Sequence, residues 1–174
     1  MGNIEIINDE LFRIGNYEFI KFVDDNGNII GILKDSLCDM MFGENNDFSK
    51  SYILNKLNNE FLPEIENIVG SENLIEFETD LISLDGSKKH GTMKSKVSIP
   101  TFDFYRKNRT TFAKYNLNNW WWLATPDTTS EFVNDYWAVC VSPRGSIINF
   151  SYNVSRGVRP FLTFISTIFD SLVK

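Results

Sequence analysis

The chain has one histidine and two cysteines in 174 residues. No Cys-x-x-Cys pair and no His/Cys cluster occurs, and Cys38 and Cys140 stand about a hundred positions apart, which excludes a protein-only zinc site of the usual kind. Both cysteines lie among apolar neighbours and read as small buried hydrophobes. Long apolar runs are missing too. The longest, from Phe161 to Phe169, is broken by Thr163, Ser166 and Thr167, so no membrane span is expected. The opening residues have no basic stretch followed by an apolar one, and Ile6 stands where Ser or Thr is needed for myristoylation at Gly2. The expected location is therefore the cytoplasm, or an assembly built there.

Catalytic signatures are equally scarce. The chain has no GxSxG, no phosphate-binding loop, no GxGxxG and no HExxH. Ser–His or Cys–His chemistry would have to use His90, in the polar, basic stretch 87–98, which reads as a surface loop. Acidic pairs such as Asp24-Asp25, Glu64/Glu66 and Glu76/Glu78 read as turn chemistry or solvated faces, because adjacency in sequence does not set two carboxyls across a substrate. The reading is a chain with no catalytic residue, no metal and no cofactor.

Positive charge is rare in one half only. Residues 1–87 carry 18 acids and 5 bases, a balance of −13, and residues 88–174 carry 5 acids and 12 bases, a balance of +7. Either the acidic half presents a negative face to a basic partner, or the halves interleave and neutralise each other. The overall charge of −6 argues against direct nucleic-acid binding, which relies on clustered Lys and Arg.

Aromatic residues, in contrast, are abundant. There are 15 phenylalanines, and three of the four tryptophans stand together in "NWWWLATP". Strand alternation sends Trp121 to one face and Trp120 and Trp122 to the other, so the run can seal two layers at once. "YEFIKFVDDNGNIIGIL" reads as a hairpin turning at Asn26-Gly27. "NDFSKSYILNKLNNEF" reads as an amphipathic helix capped by Ser49 or Ser51, with Ile53, Leu57 and Phe61 inward, and Pro63 is expected to stop it and open a second. "NLIEFETDLISLDG" looks extended. A short helix follows Pro100, and Trp137 to Phe150 reads as a hairpin turning at Ser142-Pro143-Arg144-Gly145. The fold class is α+β, with a strand-rich C-terminal third.

Three stretches carry a resemblance: "WWLATP", "YWAVCVSPRGSI" and "RGVRPFLTF". Together they resemble an uncharacterised phage and prophage domain family of Gram-positive bacteria with W-W-L-x-[ST]-P and G-V-R-P motifs. That block is similar to the C-type-lectin-like fold, in the branch of formylglycine-generating enzymes and the variable proteins of diversity-generating retroelements. The likeness extends over roughly residues 11–165, with Ala124 and Phe161 departing from the usual arginine and alanine. It implies one C-type-lectin-like domain over 1–174. Trp121 and Trp122 would then be buried, with Gly157 permitting a bend, Arg159 holding the fold through its hydrogen-bonding fork, and Pro160 ending strand pairing. The cysteines do not match the copper-binding pattern of the enzyme branch, so an oxidase is disfavoured.

The binding branch displays irregular loops on a rigid core. Here the loops would be "PDTTSEFVNDY" and "NFSYNVS", rich in the adaptable polar and aromatic residues of recognition surfaces. Asn134, Asp135, Tyr136, Asn149, Tyr152, Asn153 and Arg156 are the expected contacts, against the alternative that these are ordinary surface loops. The resulting expectation is a non-catalytic module that binds a protein. One version is an inhibitor of a basic, nucleic-acid-binding host defence protein. The alternative is a virion or tail-associated adhesion component.

Overall fold

Alternating apolar residues start the fold. The computed structural model describes residues 4–129 and 135–170. Strands β1 (Ile4–Ile6), β2 (Leu11–Ile14), β3 (Tyr17–Val23) and β4 (Ile29–Leu33) form an antiparallel meander. The β3–β4 turn is the expected one: Asp24 accepts the Asn26 and Asn28 amides at 2.8 Å each, and Gly27 supplies a φ of 82°. Late segments complete this sheet. Strand β13 (Phe161–Phe164) pairs antiparallel with β4, and β8 (Val97–Ser98) pairs with β13, giving the order β1-β2-β3-β4-β13-β8. Gly31 leaves room at the centre: a Cβ there would meet Phe12 Cζ at 2.8 Å and Phe164 at 3.1 Å.

The second sheet is the tryptophan sheet. Its strands are β5 (Asp39–Met41), β9 (Trp121–Pro126), β10 (Trp137–Val141), β11 (Ile147–Ser151) and β12 (Ser155–Gly157), ordered β11-β10-β9-β12-β5. Every residue of β9 is buried. Alternation sorts them into two cores, as a sheet covered on both faces requires. Trp122, Ala124, Ala138 and Cys140 pack with Phe12, Phe19, Phe42 and Phe48 on one side. Trp121, Leu123, Val139 and Val141 pack with Ile32, Tyr105 and Phe112 on the other. Each indole N–H is satisfied, Trp121 by Asn116 Oδ1 at 3.0 Å and Trp122 by the Met40 carbonyl at 2.9 Å.

After β5 comes a helical segment, α1 (Tyr52–Lys56) and α2 (Leu62–Val69). Ser51 caps α1 by accepting the Leu54 amide, and Ile53, Leu57, Phe61 and Ile65 are buried. Pro63 opens α2 in its first turn, as expected, but does not interrupt the helical path. Residues Leu57–Phe61 widen into a π turn in which the Leu62 amide donates to Leu57 O, and the looser winding takes in a proline that can neither donate nor tolerate a close preceding carbonyl. Two short helices, α3 (Phe102–Lys107) and α4 (Arg109–Lys114), bring Tyr105 and Phe112 onto Trp121 at ring separations of 5.8 and 5.6 Å. A last turn of helix, α5 (Thr167–Asp170), buries Phe169 against Phe12.

A two-stranded ribbon stands apart from both sheets: β6 (Phe77–Asp80) with β7 (Thr92–Ser95). The stretch 87–98 is therefore only in part a surface loop. Its alternation was hidden because Met93 is the one apolar residue on the inward side of β7, while Val97 and Ser98 are buried in the first sheet.

The closing motif "RGVRP" works by crowding more than by bending. Gly157 pairs in parallel with Trp121, and a Cβ there would lie 2.9 Å from Ser36 Oγ and 3.2 Å from the Trp120 carbonyl. Arg159 is fully buried between the two sheets. Its Nε donates to Leu33 O at 2.9 Å and one terminal nitrogen to Lys34 O at 2.8 Å, with the guanidinium 4.9 Å from the Trp121 ring. Burial pushes its pKa down to about 9, so the charge persists at neutral pH. Pro160, also buried, does not withdraw from pairing altogether, because its carbonyl accepts the Leu33 amide at 2.9 Å.

Candidate functional site

The expected contact residues do not share one surface. Asn134 and the rest of 130–134 lie outside the described residues. The segment "NFSYNVS" is not an irregular loop: it runs from β11 through a tight turn into β12. Strand alternation then divides the contact residues by face.

Phe150 lies opposite Ala138 and therefore faces the Trp122 core, while Asn149 lies opposite Val139 and projects from the other face, where it is exposed. Tyr152 extends the Phe150 row, and its amide donates to the Tyr136 carbonyl at 3.0 Å. The Tyr136 ring stands 5.0 Å from Tyr152 and 5.2 Å from Trp137, edge to face in both cases. Tyr136 is 36% exposed and Trp137 38%. Trp137, the fourth tryptophan, was not among the expected contacts. Its neighbours "NDYWAV" read as an ordinary strand start, and only the sheet geometry shows that this ring has no core to enter.

Arg156 belongs to the same face. Its guanidinium lies 4.0 Å over Phe150, whose other side meets Trp120 at 5.0 Å, and its Nε is buried without a hydrogen-bond partner. Asn153 sits in the turn and accepts the Ser151 hydroxyl at 2.5 Å. The result is an aromatic rim at the strand end: Tyr136 and Tyr152 lie on the Phe150 side with the Arg156 cation, and Trp137, opposite Ser151 and so on the Asn149 side, meets Tyr136 across the edge.

Asp135 does something else. Its carboxylate takes the Lys89 ammonium at 2.9 Å, and its carbonyl accepts the Asn46 amide at 3.0 Å. Asn46 is fully buried and donates through Nδ2 to Thr128 O and Trp137 O, at 2.8 and 3.0 Å. With both amide hydrogens used, its Oδ1 is an acceptor, so His90 Nε2, 2.9 Å away, carries the proton. The bare Nδ1 of His90 then faces the buried Asp47 carboxylate at 3.8 Å.

His90 is thus no loop residue at large. Its side chain is 7% exposed, and it ties the chain at 46–47 to the strand ends at Thr128 and Trp137. Ser49 Oγ donates to Asp47 at 2.6 Å and not to His90, so these three side chains do not form a nucleophile–base pair. The sequence signal for this cluster was the polar run Asn45-Asn46-Asp47, which is easily taken for solvent-facing loop. Among the described residues no group of three or more His, Cys, Asp or Glu side chains is arranged to hold a metal ion.

Burial lowers the His90 pKa below its usual 6.5, against the opposing pull of Asp47 and Asp135. The unfolded chain then takes up the proton more readily than the folded one. Stability is unaffected above the unfolded pKa and declines as pH drops from about 6.5 toward the folded value. His90→Gln keeps a donor for Asn46 and cannot titrate. Thermal melts between pH 7 and pH 5 are expected to show a smaller loss for the variant than for the native chain. An identical loss in both would assign the acid sensitivity to other groups.

Comparison with curated proteins gave no match, and neither did comparison with solved structures. A family model does match. It covers residues 74–166, from the bridge at Leu74 through β13, which is more than half of the chain and includes all of the tryptophan sheet except β5. The chain belongs to the family described as Domain of unknown function (DUF6273).

Proposed function

We propose that the chain is a non-catalytic, protein-binding module, built on a C-type-lectin-like scaffold, of a phage or prophage acting in the cytoplasm of a Gram-positive host. The observation that carries this reading is the partly exposed aromatic rim of Tyr136, Trp137 and Tyr152, which wraps the end of the strand pair. The Tyr136 ring meets each of the other two edge to face at the rim of a rigid sheet, where large rigid side chains offer contact area at low entropic cost. Arg156, stacked on Phe150, adds a directional cation on the Tyr152 side of that rim. The lectin-like reading is supported by the tryptophan run at the centre of the second sheet and by the crowded RGVRP closure beside it.

The test pairs Trp137→Ala with Tyr152→Ala and compares capture from host lysate with the native chain. Both rings are partly exposed, so the melting temperature is expected to shift by only a few degrees while the captured partner is lost. A variant that keeps every partner overturns the aromatic face as the contact surface. A partner of the inhibitor kind would be a basic cytoplasmic protein. Capture of an envelope or cell-wall component would favour the virion alternative.

A further inference from the structure

A groove of about 430 Å³ opens on the side of the molecule served by the β6–β7 ribbon, bounded by β6, by α3 and by Phe161 of β13. Its floor is aromatic: Phe77 and Phe161 meet at 4.9 Å and Phe104 stands 5.0 Å from Phe161, while Phe102 lines the far wall. All four phenylalanines are only half-buried. That wall is fixed, because Thr125 Oγ1 accepts the Phe102 amide at 2.8 Å and Thr101 caps α3.

The near wall is a strand edge. The Leu81 amide donates to Gly91 O, and ladder bonds in an antiparallel pair recur at every second residue, so Thr79 and Phe77 bond β7. The intervening backbone groups, the amides and carbonyls of Glu78 and Asp80, point the other way, to the open edge of β6, and both residues line the groove. β6 has no second strand partner among the described residues.

Charge gives the edge a sign. Glu78, Asp80 and Asp103 line the groove against the single guanidinium of Arg106, which Asp103 already engages at 2.9 Å. Acidic side chains on an open edge discourage pairing with a like copy. They would favour a strand that carries the opposite charge.

We propose that this groove takes an extended, basic segment of a partner protein, which adds to β6 as a third strand. The bound segment's backbone bonds Glu78 and Asp80. On the Phe77 side its alternate side chains enter the phenylalanine floor and should be aromatic or aliphatic. The others lie beside Glu78 and Asp80 and should be Lys or Arg. The proposal rests on the reading of the chain as a protein-binding module, but it uses a surface separate from Tyr136, Trp137 and Tyr152.

The test is selection of a random short-peptide library on the intact chain, followed by affinity measurement on the enriched peptides. Expected are peptides alternating basic with apolar residues, bound more weakly at high salt. Glu78→Pro removes an outward amide without touching the β7 ladder, and should weaken binding by about tenfold or more with the melting temperature nearly unchanged. If that variant proves unstable, peptides N-methylated on the backbone replace it and should lose binding likewise. Enrichment of nothing, enrichment without basic residues, or equal binding by the Glu78→Pro chain or by N-methylated peptides overturns the proposal. The Trp137→Ala/Tyr152→Ala chain should bind the peptides normally; loss there places them on the aromatic face instead. That double variant keeping its lysate partner counts against the aromatic face alone.

Discussion

Replacing Arg159 by alanine is expected to cost about 3–5 kcal/mol of folding stability, a large part of what a domain of this size holds. The side chain joins the sheets at one point: its fork reaches the carbonyls of Leu33 and Lys34 while its plane lies near Trp121 and Phe112. Truncation would leave two acceptors without their charged donor and a void against two rings. The substituent series separates the causes. Arg159→Met keeps the volume and discards a buried charge, so it should lose least. Arg159→Lys keeps the charge but not the fork, and should fall near alanine. Denaturant titrations that placed Lys at native stability would remove hydrogen-bonding geometry from the explanation.

Trp121→Ala should have a comparable effect, about 3–5 kcal/mol. The ring is wholly buried among Tyr105, Phe112 and Arg159, and its N–H engages Asn116. Because Arg159 and Trp121 touch, the two losses are not independent: the double variant should lose less than their sum. A strictly additive pair would mean that the contact at 4.9 Å contributes nothing measurable. Small destabilisation by Trp121→Ala alone would contradict its place in the core.

Much of the fold can be read from local chemistry. The hairpin at Asn26-Gly27, the Ser51 cap, the split of the tryptophan run and the turn at Gly145 depend on residues within a few positions of one another. What escaped has non-local causes. Pro63 stays inside a helix because a π turn precedes it, and the ribbon at Thr92–Ser95 shows one apolar residue where a strand signal needs several. His90 is buried by Asn46, 44 positions away, and nothing beside it in sequence announces that. The expected contact residues were legible as a composition, polar and aromatic, but not as a surface. An odd spacing, three positions from Asn149 to Tyr152, was enough to set them on opposite faces.

The pairing of β13 with β4 also has a consequence for synthesis. Leu33 meets Arg159 across 126 positions of chain, so during translation the N-terminal meander is made long before its neighbour. Until the last strand emerges, Phe12, Phe19 and Gly31 present an apolar surface that Phe164 will later cover. A nascent chain of this design holds four strands of its first sheet before the other two are made, so the sheet is completed late. The segment matched by the family, cut out at Leu74, would carry β13 without β4, and Arg159 without either carbonyl it grips. The matched stretch thus depends, for its own buried arginine, on carbonyls that lie before it in the chain.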